Sequence, residues 1–145
     1  MLKILFVCHG NICRSPMAEF VLKDMVDKKG MVDKFEIASA ATSTEEIWNG
    51  IGNPVYPPAK AVMFENGIDC TGKRARQLTI EDGDYYDYII GMDDANLRNM
   101  KKMLSKENHC KLSLLMDYTE NPRSVADPWY TGDFNKKWKD VNEGC

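Results

Sequence analysis

Leu2 to Val7 is apolar apart from Lys3 and runs straight into Cys8-His9-Gly10-Asn11, the pattern of a buried strand that ends in a loop. From Ser15 the period changes. Ser15 is suited to cap a helix and Pro16 to begin it, and Met17, Phe20, Val21, Met25 and Val26 then recur at helical spacing as far as Gly30. Phe35 to Ala38 is predicted as a second strand, which completes a β-α-β unit. Ala40 to Pro58 is a long turn-rich segment with Gly50, Gly52, Pro54, Pro57 and Pro58 around Trp48 and Tyr56, and a loop of that length in a small domain is more often functional than idle. Ala59 to Asn66 predicts a helix stopped by Gly67, Tyr88 to Gly91 a third strand, and Asp93 or Asp94 the cap of a helix through Leu104. Lys111 to Met116 predicts a fourth strand, followed by a polar loop holding Asp127-Pro128 and a last helix starting within Phe134 to Asn142. The alternation specifies an α/β, three-layer doubly wound domain around a short four-stranded parallel sheet.

Ligands of such sheets bind in the crevice at the carboxyl ends of the strands, which is where Cys8 falls. Five residues separate Cys8 from Arg14, a spacing that chance alone supplies in roughly one chain in six. The surroundings add the specificity. A strand before the loop and a helix after it aim backbone N–H groups and the positive end of the helix dipole at one point, which makes an anion site. Arg14 adds a bidentate charged fork for phosphate, and the same field, with the Ser15 hydroxyl, favours a thiolate at Cys8. Gly10 and Asn11 are the residues that best tolerate positive φ in a loop turning its amides inward, and they also suit an ordinary turn. A small buried side chain at a strand end is the usual fate of a free cysteine, but that reading of Cys8 leaves the adjacent Gly10-Asn11, Arg14 and Ser15-Pro16 unexplained.

Composition narrows the class. With 145 residues, 43% hydrophobic and 28% charged, the chain has the make-up of one soluble globular domain spanning residues 1–145. The apolar run Ile4 to Val7 is too short for a signal peptide or a membrane span, so a cytoplasmic location is expected. Five cysteines at irregular positions form no disulfide framework, as suits a reducing compartment. A net charge of -3 argues against a nucleic-acid partner, and Lys73 to Arg76 is too short a basic cluster to change that. His9 and His109 have no further ligands at metal spacing, so neither a metal nor another cofactor is expected.

The string VCHGNICRSP, with Asp127-Pro128 downstream, resembles the low-molecular-weight protein tyrosine phosphatases. Ser39 to Ser43, Gly52-Asn53-Pro54, Ala75-Arg76-Gln77 and Met92-Asp93 extend the likeness from Met1 to about Gly144. The resemblance implies a metal-independent reaction in two steps. Cys8 attacks phosphorus, Arg14 and the amides of His9, Gly10, Asn11, Ile12 and Cys13 hold the phosphate, and Asp127 protonates the leaving oxygen. Asp127 then serves as base for the water that hydrolyses the phosphocysteine, and Ser15 assists Cys8. It also implies that Asn11 and Ser39 hydrogen-bond to each other to support the loop, that Trp129 and Tyr130 wall the cleft, and that Cys13 can form a disulfide with Cys8. By residue type alone, Asp127-Pro128 also reads as a turn, Trp129 and Tyr130 as packing, and Cys13 as a packed thiol. Phosphorylated proteins and free phosphate are the expected partners, with the chain a monomer.

Three departures qualify the likeness. Lys73 stands where many relatives carry a histidine that supports the phosphate loop from behind, so charge is kept without imidazole geometry. Between Ser43 and Gly52 the loop is longer than in animal members by about four residues, and Trp48 replaces their specificity-setting aromatic at the cleft rim. Relatives continue a helix past the pair matched by Gly144-Cys145, so a lower stability is expected here. Among rivals, protein arginine phosphatases of the same scaffold place a threonine where this chain has Ile12, and an apolar Ile12 favours an aryl ester. Thiol-linked arsenate reductases need a close pair of downstream cysteines that Cys70 and Cys110 do not make. A phosphate-binding or redox-sensing module without catalysis is disfavoured by the joint presence of Cys8, Arg14, Ser15 and Asp127.

Overall fold

The strand predicted at the start of the chain lies in the middle of the sheet because its two faces are both apolar. In the computed structural model, which describes residues 2–118, β1 (Leu2–Cys8) sends Ile4, Phe6 and Cys8 into one buried cluster and Leu5 and Val7 into another. The first cluster is closed by α1 (Arg14–Lys28), through Met17, Ala18 and Val21. After a short 3-10 turn the chain forms β2 (Phe35–Ala41), then a small hairpin of β3 (Ile47–Trp48) and β4 (Ile51–Gly52). Next come α2 (Pro57–Glu65), α3 (Ile80–Tyr85), β5 (Tyr88–Gly91), α4 (Asp94–Met103) and β6 (Leu112–Leu114). Ala59 and Met63 of α2 join α1 on the first face, while Met100 of α4 and Tyr86 just after α3 cover the second. Three layers result, as the sequence predicts.

The sheet runs β2-β1-β5-β6 with every pair parallel. The chain leaves β1 for β2 on one side and returns for β5 on the other. The carboxyl end of β1 is therefore the switch point of the sheet, where a crevice opens.

Several boundaries differ from expectation, each for a reason visible in the structure. β2 reaches Ala41 rather than Ala38 because β1 pairs with it along its whole length, Leu2 opposite Phe35 through Cys8 opposite Ala41. α2 starts two residues early, its prolines occupying the first turn, where their missing N–H leaves no bond unmade. The fourth strand shrinks to Leu112–Leu114 between 3-10 turns. Inside the segment read as a loop, the hairpin turns on Asn49 and Gly50 at φ 50° and 78°, the Asn-Gly signal for a two-residue connection. α3 begins in a capping box between Thr79 and Asp82.

Candidate active site

Helix α1 begins at Arg14, not after Ser15, and Cys13 takes the capping position without a side-chain bond. The hydroxyl of Ser15, freed from capping, meets Cys8 Sγ at 2.9 Å. The backbone N–H of Asn11 also donates to that sulfur, at 3.2 Å. Asn11 sits at φ 58°, a left-handed conformation its short amide side chain makes tolerable, and this carries the loop back over the sulfur. Gly10 does not share the positive φ expected of it. It is small for another reason: a Cβ there would stand 3.2 Å from Cγ of Glu46, which lies across the loop.

A buried network fixes the loop from behind. Asn11 Nδ2 donates to Ser15 Oγ at 2.8 Å and to Ser39 Oγ at 2.9 Å, while its Oδ1 accepts from the backbone N–H of Arg76 at 3.1 Å. Ser39 donates to Glu19, which also receives the ammonium of Lys23. Lys73 donates to the Ser39 carbonyl at 3.1 Å and stands 3.5 Å from Glu19. Burial pushes the Lys73 ammonium below its ordinary pKa, with Glu19 opposing that shift and Arg76 reinforcing it. The loop is thus tied to α1, to β2 and to the segment before α3, which itself pairs with the end of β2 through Ala41 and Gln77.

Arg14 is almost fully buried, and its NH1 donates to Asp93 Oδ2 at 2.6 Å. Asp93 uses its other oxygen to accept the Asn96 N–H at 2.8 Å and so caps α4. One carboxylate thereby aims the guanidinium and starts the helix on the far side of the crevice. The crevice is a cleft of about 530 Å³ lined by residues 8–14, by Glu45 and Glu46, and by Asp93, Ala95, Asn96 and Asn99. His9 pairs with Glu45 at 3.0 Å on its rim.

Cys8 to Arg14, Ser15, Ser39 and Lys73 are therefore brought together as the sequence predicts. Trp48 projects from β3 into solvent, 74% exposed, beside Ile51, while the described cleft wall on that side is made by Glu45 and Glu46. Asp127, Trp129 and Tyr130 lie outside the described residues. Two members escaped the sequence reading. Asp93 was read as a helix cap and within the Met92-Asp93 likeness, without its contact to Arg14, and Glu19 carried no signal that set it apart from Asp24 and Asp27 of the same helix.

A cysteine sulfur under a loop of inward-turned backbone, with a buried arginine at its far end and a serine beneath, is the geometry of a phosphate-ester site. A family model for low molecular weight phosphotyrosine protein phosphatases matches residues 3–145. The chain belongs to this family. The low molecular weight protein-tyrosine-phosphatase YfkJ of Bacillus subtilis is 39% identical over 147 residues, covering 100% of this chain and 92% of that one. Its crystal structure superposes with a TM-score of 0.93 at 38% identity, over 100% of this chain and 90% of that chain. The low molecular weight phosphotyrosine protein phosphatase of Gallus gallus is 38% identical over 145 residues, with 98% and 87% covered. A crystal structure of a Drosophila arginine phosphatase is also similar, at a TM-score of 0.88 and 29% identity over 99% and 93%. Membership makes the chain a phosphoric monoester hydrolase of the phosphotyrosine class on a three-layer α/β fold. Among the described residues no helix is long and apolar enough to cross a membrane.

Proposed function

We propose that this phosphotyrosine phosphatase works through a phosphocysteine at Cys8, without a metal, in the cytoplasm. The observation that carries this is the convergence of Ser15 Oγ and Asn11 N–H on Cys8 Sγ at the floor of a cleft that Arg14 also lines. Cys8 Sγ attacks phosphorus in line with the ester oxygen. The inward amides and Arg14 take up the charge on the equatorial oxygens, and Asp127 supplies the proton to the departing phenol. In the second step Asp127 accepts a proton from water as that water attacks phosphorus and the P–S bond breaks. The Ser15 hydroxyl, already bonded to sulfur, then receives the leaving thiolate.

Ile12 is a buried apolar side chain in the cleft lining, which suits the ring of a phosphotyrosine. Trp48, Trp129 and Tyr130 are assigned to contacts with the rest of the substrate, and Cys13, a thiol in the cleft beside Cys8, to reversible pairing with it under oxidation. The protein acts as a monomer on phosphorylated proteins.

Hydrolysis of p-nitrophenyl phosphate and of phosphotyrosyl and phosphoarginyl peptides tests this directly. Cys8→Ser is expected to lower kcat by more than about 10³-fold. Asp127→Ala is expected to lower kcat by roughly 10²-fold on phosphotyrosine and by less on the nitrophenyl ester, whose leaving group needs little proton assistance. Wild-type turnover no faster than Cys8→Ser would refute the mechanism. A preference for phosphoarginine would move the substrate while leaving the nucleophile.

A further inference from the structure

The charges around the cleft are out of balance. Among the described lining residues three carboxylates, Glu45, Glu46 and Asp93, stand against the guanidinium of Arg14, matched by Asp93, and the imidazole of His9, paired with Glu45, so that Glu46 has no cationic partner in the lining. The two glutamates belong to the approach to the hairpin, outside the phosphate loop, and neither swings freely. Glu45 is tied to His9 at 3.0 Å, with its side chain 69% exposed at the rim. Glu46 lies across Gly10, and its carboxylate accepts from Asn53 Nδ2 at 2.7 Å, within a turn closed by the Asn53 N–H on the Glu46 carbonyl. A phosphate dianion entering this cleft adds negative charge to a mouth that already carries two fixed carboxylates. The loop amides and Arg14 receive the phosphate itself, and at the mouth the two carboxylates favour cationic side chains beside it and repel acidic ones.

We propose that Glu45 and Glu46 are specificity residues that select phosphotyrosine flanked by lysine or arginine side chains and disfavour acidic neighbours. The inference rests on the phosphotyrosine reading of the same cleft. It adds what that reading lacks, a charge rule for the chain on either side of the phosphorylated residue. The groups are near the surface, so the effect is moderate and screened by salt.

Two phosphotyrosyl peptides of equal length, one with lysine and one with glutamate on both sides of the phosphotyrosine, separate the possibilities. Wild type is expected to show a kcat/KM about fivefold higher for the lysine peptide at low salt, falling toward parity at 0.5 M salt. In Glu45→Gln/Glu46→Gln the ratio between the two peptides is expected to drop below about twofold at low salt. Because each ratio is taken within one protein, a general loss of activity in the variant does not disturb it, and the salt series needs no variant. A wild-type ratio near one, or a ratio that survives either salt or the double substitution, overturns the proposal. Should wild type hydrolyse neither peptide nor p-nitrophenyl phosphate, the phosphatase reading itself falls, and this inference with it.

Discussion

Asn11 concentrates more of the site in one side chain than any other described residue. It makes three hydrogen bonds with its amide, two of them buried, and holds a backbone conformation that alanine resists. Asn11→Ala is expected to destabilise the fold by roughly 3 kcal/mol in urea denaturation, and Asn11→Gly by about 1 kcal/mol less, because glycine relieves only the φ strain. Equal losses would mean that the conformation at residue 11 carries no strain. Asp93 permits a cleaner dissection. Asparagine caps helices as well as aspartate does, so Asp93→Asn keeps the start of α4 through its one amide oxygen, while the NH2 that replaces Oδ2 cannot accept from Arg14 and that bond is lost. The melting temperature should fall, because the buried guanidinium loses one acceptor, and kcat/KM for an aryl phosphate should fall about tenfold. An unchanged kcat/KM would show that Arg14 is aimed by its other contacts. Lys73 gives the site a signature in pH. Its ammonium is buried, so the cost of carrying the charge is in full force at neutral pH, where folded and unfolded chains are both protonated. As pH rises from the lowered folded pKa toward the ordinary value of 10.5, the unfolded chain alone keeps the proton and that cost is relieved. The urea midpoint of wild type relative to Lys73→Met should therefore climb as pH rises toward 10.5, and a flat difference would place Lys73 at its ordinary value.

Elements with a strong local pattern were legible from the sequence, and those set by a distant partner were not. β5 falls at Tyr88–Gly91 as predicted, since four consecutive residues between a tyrosine-rich turn and an aspartate cap leave little choice. The start of α1 was misplaced because Ser15 has the chemistry of a cap, and only the sulfur seven residues back reveals that its hydroxyl is used elsewhere. The last three residues of β2 have no period of their own and become strand by pairing with β1. Within the site, Cys8 and Arg14 announce themselves by their place between a buried strand and a helix start, whereas Glu19 and Asp93 earn their places through contacts 20 and 79 residues away in sequence. The hairpin shows the same dependence on remote structure. Gly52 passes so close to the segment before α3 that a Cβ would lie 1.8 Å from the carbonyl oxygen of Ala75. Gly52→Ala is expected to lower stability by about 2 kcal/mol or more and, by shifting Glu45 and Glu46, to weaken discrimination between the lysine- and glutamate-flanked peptides. A variant as stable as wild type by chemical denaturation would show that the hairpin base yields at little cost.

At the scale of the whole molecule, the site stands where the sheet reverses its order, so neither half of the fold can build it alone. The loop and Ser39 come from the β1-α1-β2 unit, and Asp93 from the far side. The segment around Arg76 closes the loop from between them. Stability and activity are accordingly coupled, and substitutions that loosen the core on either face of β1 should reduce both together.

The central position of β1 also bears on how the protein is made. Cys8 is synthesised some eighty residues before the strand that must flank β1 on its second side and before the carboxylate that holds Arg14. A nascent chain therefore carries the Cys8 sulfur without the Asp93 contact to Arg14 until β5 and the cap of α4 have emerged, and the site and the sheet are completed by the same stretch of chain.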